Sequence, residues 1–364
     1  MRKLASFHLK NQTDKLKNLS TRIFQSSRLV VSQSTPYQVI ERYQHASIRY
    51  YPAHERRFLE PLVFIPPLAV TVSIYDLYPY RSLVQYFQQQ GFEVYLLDWG
   101  RFNYADHQLN FLHFLEDIIP HCLDSIRTHS GSPDVSLHGW SMGGLFATLY
   151  TAHCYSKQIK NLMTLGAPID TFLTGWHGQL LQHTQAFLAH HPRLANTLYS
   201  GKLPKKMLQT PGKLNALVFK LLDPQGWFNG HKRLLHNLDD PQVLQEHATM
   251  SAYLNDMIDY PGGINQDMIL NIWLQNPLKN GHIHLNHKLI QLKNIDCNLL
   301  VGAGSRDQLV CADAVAPLCE LTSSPDVTFT LINGGHMGIM SNQNSAKEFW
   351  PQLATWLQQR STSL

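Results

Sequence analysis

The stretch "LHGWSMGGLFATLY", Leu137 to Tyr150, constrains this chain more than any other. An apolar run enters it and a helix-forming run leaves it. Between them Gly139 and Gly143 bracket Ser141, two positions to either side. Glycine gives up more conformational freedom on folding than any other residue, so a pair at fixed offsets from one serine marks a backbone that needs them. "DVSLHGW" reads as a strand and "MGGLFATLYTAHCY" as a helix, which puts Ser141 on the corner between the two. In the spacing G-x-S-x-G such a corner lifts the serine Oγ above the end of a sheet in a strained conformation. Side chains at the two glycine positions would strike neighbouring backbone, and the new helix aims free N–H groups at the same spot.

The surrounding sequence supplies the sheet. "PLVFIP", "FEVYLLDWG", "DVSLHGW" and "IKNLMTLGAP" are short apolar runs with strand character. "SLVQYFQQQG" and "NFLHFLEDIIPHCLDSI" are helical between them, the second with an expected interruption near Pro120. From Pro61 onward this alternation predicts an α/β fold with a mostly parallel, doubly wound sheet and helices on both faces. After Asp170 the rhythm breaks. Residues 171–280 carry leucine-rich and aromatic helical stretches with few convincing strands, the pattern of a helical lid inserted into the sheet domain. "GHIHLNHKLIQL" reads as a small hairpin. Strands resume at "CNLLVGAG" and "VTFTLING", and "SAKEFWPQLATWLQQ" closes the chain as an amphipathic helix. The expected organisation is a basic N-terminal arm (1–40), a first part of the core (41–170), the lid (171–280) and a second part of the core (281–364).

A serine hydroxyl is a weak nucleophile until a base takes its proton, so the corner calls for a histidine and an acid. In sheets of this kind they follow the serine in the order acid, then histidine. Asp307, in "GSRDQLV", lies just beyond "CNLLVGAG", and His336, in "NGGHMGIM", just beyond "VTFTLING". Both belong on loops at the sheet edge that carries Ser141. Asp170, in "GAPID", also follows a core strand and is the rival acid. A tetrahedral oxyanion needs two backbone donors. Met142 N–H is the first; the second comes from "PPLAVT", with Ala69 ahead of Leu68, since Pro66 and Pro67 have no N–H.

Composition removes other classes. Of 364 residues 44% are apolar and 15% charged, which suits a folded chain, and a net charge of +4 from scattered basic residues argues against nucleic-acid binding. The five cysteines, Cys122, Cys154, Cys297, Cys311 and Cys319, are odd in number and lack CxxC spacing, so a reducing, cytoplasmic setting is expected and no disulfide framework. None of the 20 histidines forms an HExxH pair, so no metal site is signalled, and no cofactor is expected. No apolar stretch reaches the roughly 18 residues of a membrane span. The basic N-terminus lacks the apolar core of a secretory signal. Its Leu4, Phe7, Leu16, Leu19 and Ile23 line one side of a helix, with Lys10, Lys15, Lys17 and Arg22 beside it. Such a helix either docks on the protein as a surface arm or meets a membrane, an inclusion surface or a partner.

Several motifs outside the serine corner, taken in order, carry a family resemblance: "YDLYPYRSLVQYFQQQGFEVYLLDWG", "GWSMGG", "TLGAPID", "DYPGG", "NPLKNGHIHLNHKLIQLKNI", "GSRDQLV" and "GGHMGIM". From roughly Pro61 to Trp356 the chain resembles the catalytic subunits of polyhydroxyalkanoate synthases, especially the short type, which works with an accessory subunit. The resemblance implies an α/β-hydrolase fold with a helical lid and hydroxyacyl-CoA as substrate class, coenzyme A being part of the substrate. It assigns acid and base to Asp307 and His336, and so prefers Asp307 to Asp170. It departs at the centre, where the synthases have a nucleophilic cysteine and this chain has Ser141. A thiol with a pKa near ~8.5 ionises easily and exchanges with thioesters; a serine forms an oxyester instead. The expected activity is therefore serine-dependent acyl transfer, as esterase, thioesterase or acyltransferase, on apolar or 3-hydroxyacyl esters or thioesters. The alternatives are a polymer synthase that uses serine, and a non-catalytic granule- or membrane-associated protein that kept the fold.

Overall fold

Among the described residues ten strands form where the apolar runs and their flanking turns fall. They are β1 (Gln38–Tyr43), β2 (Ala46–Tyr51), β3 (Leu62–Ile65), β4 (Val94–Asp98), β5 (Val135–Trp140), β6 (Ile159–Leu165), β7 (His282–Leu285), β8 (Lys288–Gln291), β9 (Asn298–Gly304) and β10 (Val327–Ile332). The computed structural model describes residues 15–68, 70–154, 158–222 and 224–364. Eight of the strands make one sheet in the order β1-β2-β4-β3-β5-β6-β9-β10, and β7 and β8 pair separately as an antiparallel hairpin. From β4 to β10 every pairing in the large sheet is parallel. The sheet starts earlier than the alternation from Pro61 indicated, because β1 and β2 form an antiparallel hairpin that adds onto β4. Strand β1 is a half-exposed edge with a register shift between Val39 and Glu41, so its residues show no clean apolar alternation.

The central strands are buried on both faces. Val135 and Leu137 of β5 face one core with Phe114, Leu123 and Phe146, while Trp140 faces another with Phe64, Tyr75 and Phe87. Apolar runs without alternation are what such double burial requires. The faces are covered by helices that include α1 (Leu83–Gln89), α2 (Ile119–Ser130) and α3 (Met142–Cys154). The helix expected to break near Pro120 instead runs on, with a π-helical stretch over Phe114–Ile118 directly ahead of α2. The same device recurs at Ser345–Phe349, ahead of Pro351 in the terminal helix Trp350–Gln358. A wider turn moves aside the carbonyl that a proline ring would strike, so the helix continues past the proline.

Between β6 and β9 lies a run of helices, among them α4 (Gly175–Ala189), α5 (Gly212–Leu222), α6 (Pro224–His236) and α7 (Pro241–Asn255). Residues 15–24 are helical and dock on this insertion. Leu19 packs against Leu234, Leu238 and Leu244, Asn18 Nδ2 donates to the Leu238 carbonyl at 2.8 Å, and the Arg22 guanidinium donates to His247 Nδ1. Leu4, Phe7 and Lys10 of the expected arm lie outside the described residues.

His138 sits in β5, fully buried against the rings of Phe64 and Tyr75 at 5.0 and 6.1 Å, with neither ring nitrogen partnered among the described residues. Burial pushes its pKa from the ordinary 6.5 down to about 3. The folded imidazole stays neutral while the unfolded one takes up a proton below its ordinary pKa. The associated stability is full above pH 6.5 and drains away as pH falls toward 3. At about pH 5 the loss amounts to about 2 kcal/mol. In His138→Leu the drop in melting temperature between neutral pH and about pH 5 should be smaller than in the parent. An equal drop would show that His138 does not carry this acid sensitivity. His247, pushed down to about 4 by burial and then by Arg22, keeps part of it in either protein.

Candidate active site

Ser141 follows the last residue of β5 and precedes the first of α3, with φ at 57° in the left-handed region. A serine pays strain there that a glycine would not. Its own N–H donates to the Leu165 carbonyl at 2.7 Å, tying the corner to the end of β6. The flanking glycines are sterically required. A Cβ on Gly139 would stand 2.3 Å from the Gly143 oxygen, and one on Gly143 would stand 2.1 Å from the Ile65 oxygen. Gly144, one residue on, has only 2.8 Å to Thr164 Oγ1, so the second glycine of "MGG" is also needed.

Two loops from the same sheet edge meet this corner. Beyond β10, Gly334 and Gly335 lead to His336; beyond β9, a tight turn holds Asp307. His336 Nε2 lies 2.9 Å from Ser141 Oγ, and His336 Nδ1 lies 2.7 Å from Asp307 Oδ2. The other carboxylate oxygen, Oδ1, accepts from the Leu309 and Val310 N–H groups at 2.9 Å each, which fixes the acid and leaves Oδ2 for the imidazole. A carboxylate on Nδ1 selects the tautomer whose Nε2 is an acceptor, the atom that faces the serine. The Asp307 side chain is fully buried and the His336 ring nearly so, whereas Ser141 keeps partial access. The imidazole packs against the Trp140 indole, centroids 5.3 Å apart, and fits beside Gly166, whose added Cβ would stand 3.4 Å from its Cε1. The arrangement can pass a proton from a hydroxyl to a buried, oriented base.

Asp170 is not part of this line. Its Oδ1 accepts from Asn276 Nδ2 at 2.6 Å and from the Phe172 N–H at 3.1 Å, while Asn276 Oδ1 accepts from the Thr171 N–H at 3.0 Å. Asp170 and Asn276 thus staple the start of the helical insertion to its end. Met142 opens α3, where helix geometry leaves its N–H without an intrahelical acceptor. Ala69, expected as the second oxyanion donor, lies outside the described residues; its neighbour Leu68 is fully buried. Trp99 Nε1 donates to the Pro66 carbonyl at 2.8 Å and pins the loop at that point. From the insertion, the Tyr260 hydroxyl reaches Met142 Sδ at 3.9 Å, so the lid touches the corner directly.

No cysteine stands in for the serine. Burial pushes the thiols of Cys122 and Cys297 up to about 12 and that of Cys154 to about 11, away from the reactive thiolate. The Cys311 thiol donates to the Leu173 carbonyl at 2.7 Å. Among the described residues, no three His, Cys, Asp or Glu side chains are grouped to hold a metal ion. Three contributors escaped the sequence reading: the Trp140 ring against the imidazole, Gly144, and Gly166 in "TLGAP". Only the glycines left a trace there, as small residues beside strand ends.

A family model described as the alpha/beta hydrolase fold matches residues 60–343. The chain is similar to the poly(3-hydroxyalkanoate) polymerase subunit PhaC of Haloferax mediterranei, 26% identical over 90% of this chain and 64% of that one. It is also similar to the subunit of the same name from Allochromatium vinosum, 29% identical over 82% and 81%. The chain therefore spans a little under two thirds of the first relative and about four fifths of the second. Among solved structures, the monoacylglycerol lipase of Paleococcus ferrophilus superposes with a TM-score of 0.55 at 17% identity, covering 87% of this chain and all of that one. A soluble variant of monoglyceride lipase from Saccharomyces cerevisiae gives 0.56 at 15% identity, covering 91% and 97%. These two share the fold. The chain belongs to the α/β hydrolase fold family, and within it is a polyhydroxyalkanoate synthase-like enzyme.

Proposed function

We propose that the enzyme transfers 3-hydroxyacyl groups from coenzyme A thioesters through an oxyester on Ser141, with the hydroxyl of another 3-hydroxyacyl unit as acceptor. The observation that carries this reading is the hydrogen-bonded line Ser141 Oγ, His336, Asp307, at 2.9 and 2.7 Å. In the first half-reaction His336 Nε2 takes the hydroxyl proton as Oγ attacks the thioester carbonyl. The tetrahedral oxyanion is held by the Met142 N–H and a second donor in the loop around Ala69 and Leu68. Collapse breaks the C–S bond, and the imidazolium returns its proton to the departing thiol. In the second half-reaction His336 deprotonates the acceptor hydroxyl, which attacks the Ser141 ester; the C–O bond to the serine breaks and Oγ regains a proton. Asp307 orients the ring and stabilises its charged form throughout. These steps call for no metal or organic cofactor, and a CoA donor places the reaction in the cytoplasm.

From the sequence, with Ser141 in place of the synthases' cysteine, general serine esterase or acyltransferase chemistry stands ahead of polymer synthesis. The names of the relatives support polymer synthesis at least as strongly. Hydrolysis is the second reading, and Ser141 itself favours it: transfer from a serine ester to another hydroxyl exchanges one oxyester for another, so water competes unless it is kept out. The test is turnover of 3-hydroxybutyryl-CoA by the purified enzyme, following free thiol, insoluble polymer and free hydroxy acid together. Polymer is the expected product. Free acid matching the thiol released would establish hydrolysis, and no thiol release would overturn both readings. Ser141→Cys should raise the polymer fraction, because a thioester intermediate gives the acceptor step a downhill drive that an oxyester lacks.

A further inference from the structure

Helices α5 and α6 of the insertion turn their apolar faces the wrong way. In α5 the packed side carries Asn215, Ala216 and Phe219, whereas Leu214, Leu217, Val218 and Leu221 point outward, with Leu217 53% and Leu221 67% exposed. That spacing of i, i+3, i+4 and i+7 is the stripe a surface helix normally lays on the core. In α6 the buried residue is Leu234, and Phe228 and Leu235, seven apart on one side, are 63% and 61% exposed. Across residues 212–236 Arg233 is paired with Glu246 of α7 at 2.9 Å, while Lys213, Lys220 and Lys232 share that stretch with one acid, Asp223. The docked helix of residues 15–24, which packs against Leu234 of α6, adds exposed Leu16, Ile23 and Phe24. Among the described residues no helix is long and apolar enough to cross a membrane.

We propose that the outer face of α5 and α6 docks on an anionic lipid–water interface, with the leucine stripe and Phe228 inserted at headgroup depth and the lysines against the lipid charge. Amphipathic helices that lie in an interface combine a continuous apolar face with flanking Lys or Arg, and their binding scales with both. The charge singles out this occupant. A second copy of the chain seated on the same face would bring two sets of these lysines together, with Asp223 the one acid each stretch of 212–236 offers them. This inference does not rest on the reaction proposed above, and its test reads no turnover.

The full chain is floated with vesicles of phosphatidylcholine alone and of phosphatidylcholine with one third phosphatidylglycerol. Binding is expected with the anionic vesicles and should fall away at high salt. The bound fraction should drop roughly tenfold or more in Leu217→Asp/Leu221→Asp, and comparably in Lys213→Glu/Lys220→Glu. Lys213, Leu217 and Leu221 are exposed and Lys220 is half-buried with its Nζ donating to Asn255 Oδ1 at 2.6 Å, so an unchanged melting temperature is the check that each variant is folded. Phe228→Ser/Leu235→Ser on the second helix replaces the leucine pair should that pair fail to fold. Failure to bind either vesicle, or equal binding to both, overturns the proposal. So does a dimer in sedimentation velocity that Leu217→Asp/Leu221→Asp dissociates, since the face would then belong to a second copy.

Discussion

Ser141→Ala is expected to lower kcat/KM for any thioester or ester substrate by roughly ten-thousandfold or more, with the protein still folded. Alanine at φ 57° meets the same strain as serine, so circular dichroism and melting should change little. What goes is the atom 2.9 Å from His336 Nε2. A residual rate of about a thousandfold over water should survive, because the oxyanion donors and the substrate-binding surface remain. Because serine and histidine act as one unit, Ser141→Ala/His336→Ala should be little worse than either single change. Measurement of thiol release under single-turnover conditions decides the matter. Full rates in Ser141→Ala would mean that another group attacks.

The second large effect is on folding. Gly143→Ala should destabilise the protein by about 4 kcal/mol or more, or prevent recovery of folded material. The new methyl would stand 2.1 Å from the Ile65 oxygen and 2.7 Å from the Pro66 carbonyl carbon, both backbone atoms that cannot rotate away. Gly131→Ala is the matched control. Its φ is +72° but nothing lies within 4 Å, so it should lose only the roughly 1–2 kcal/mol of a left-handed alanine. Thermal unfolding of the two variants side by side separates collision from backbone strain. Similar losses in both would contradict the geometry at the corner.

The parts of this molecule legible in its sequence are those set by short-range rules. The buried parallel strands announce themselves as apolar runs, and the corner at Ser141 by glycines that nothing else would require. His336 and two acids, Asp307 and Asp170, stand out because each follows a strand whose end must lie at the serine's edge of the sheet, and the family resemblance is what chooses Asp307. The structure sets Ser141, His336 and Asp307 in one hydrogen-bonded line. What escaped depends on distant neighbours. Strand β1 is an edge with little burial, so its pattern carries no core signal. The π-helical stretches before Pro120 and Pro351 answer a steric problem that the sequence poses but does not solve. Asp170 is indistinguishable from a triad acid by position, and only Asn276, 106 residues away, gives it another task. The Trp140 ring finds the imidazole through folding alone.

That staple has an evolutionary corollary. Because Asp170, Thr171 and Asn276 fasten departure to return, the intervening hundred or so residues leave and rejoin the sheet at one place. Further ties from Glu246 to Arg81 and from Asp267 to the Phe111 N–H hold their inner side to the core. The entropy of closing such a segment rises only slowly with its length. The outward sides of helices such as α5 and α6 can change between the staples without moving any strand that carries Ser141, Asp307 or His336. Substrate range and surface habits can then diverge among descendants at a pace of their own, while the hydroxyl, imidazole and carboxylate stay where the sheet put them.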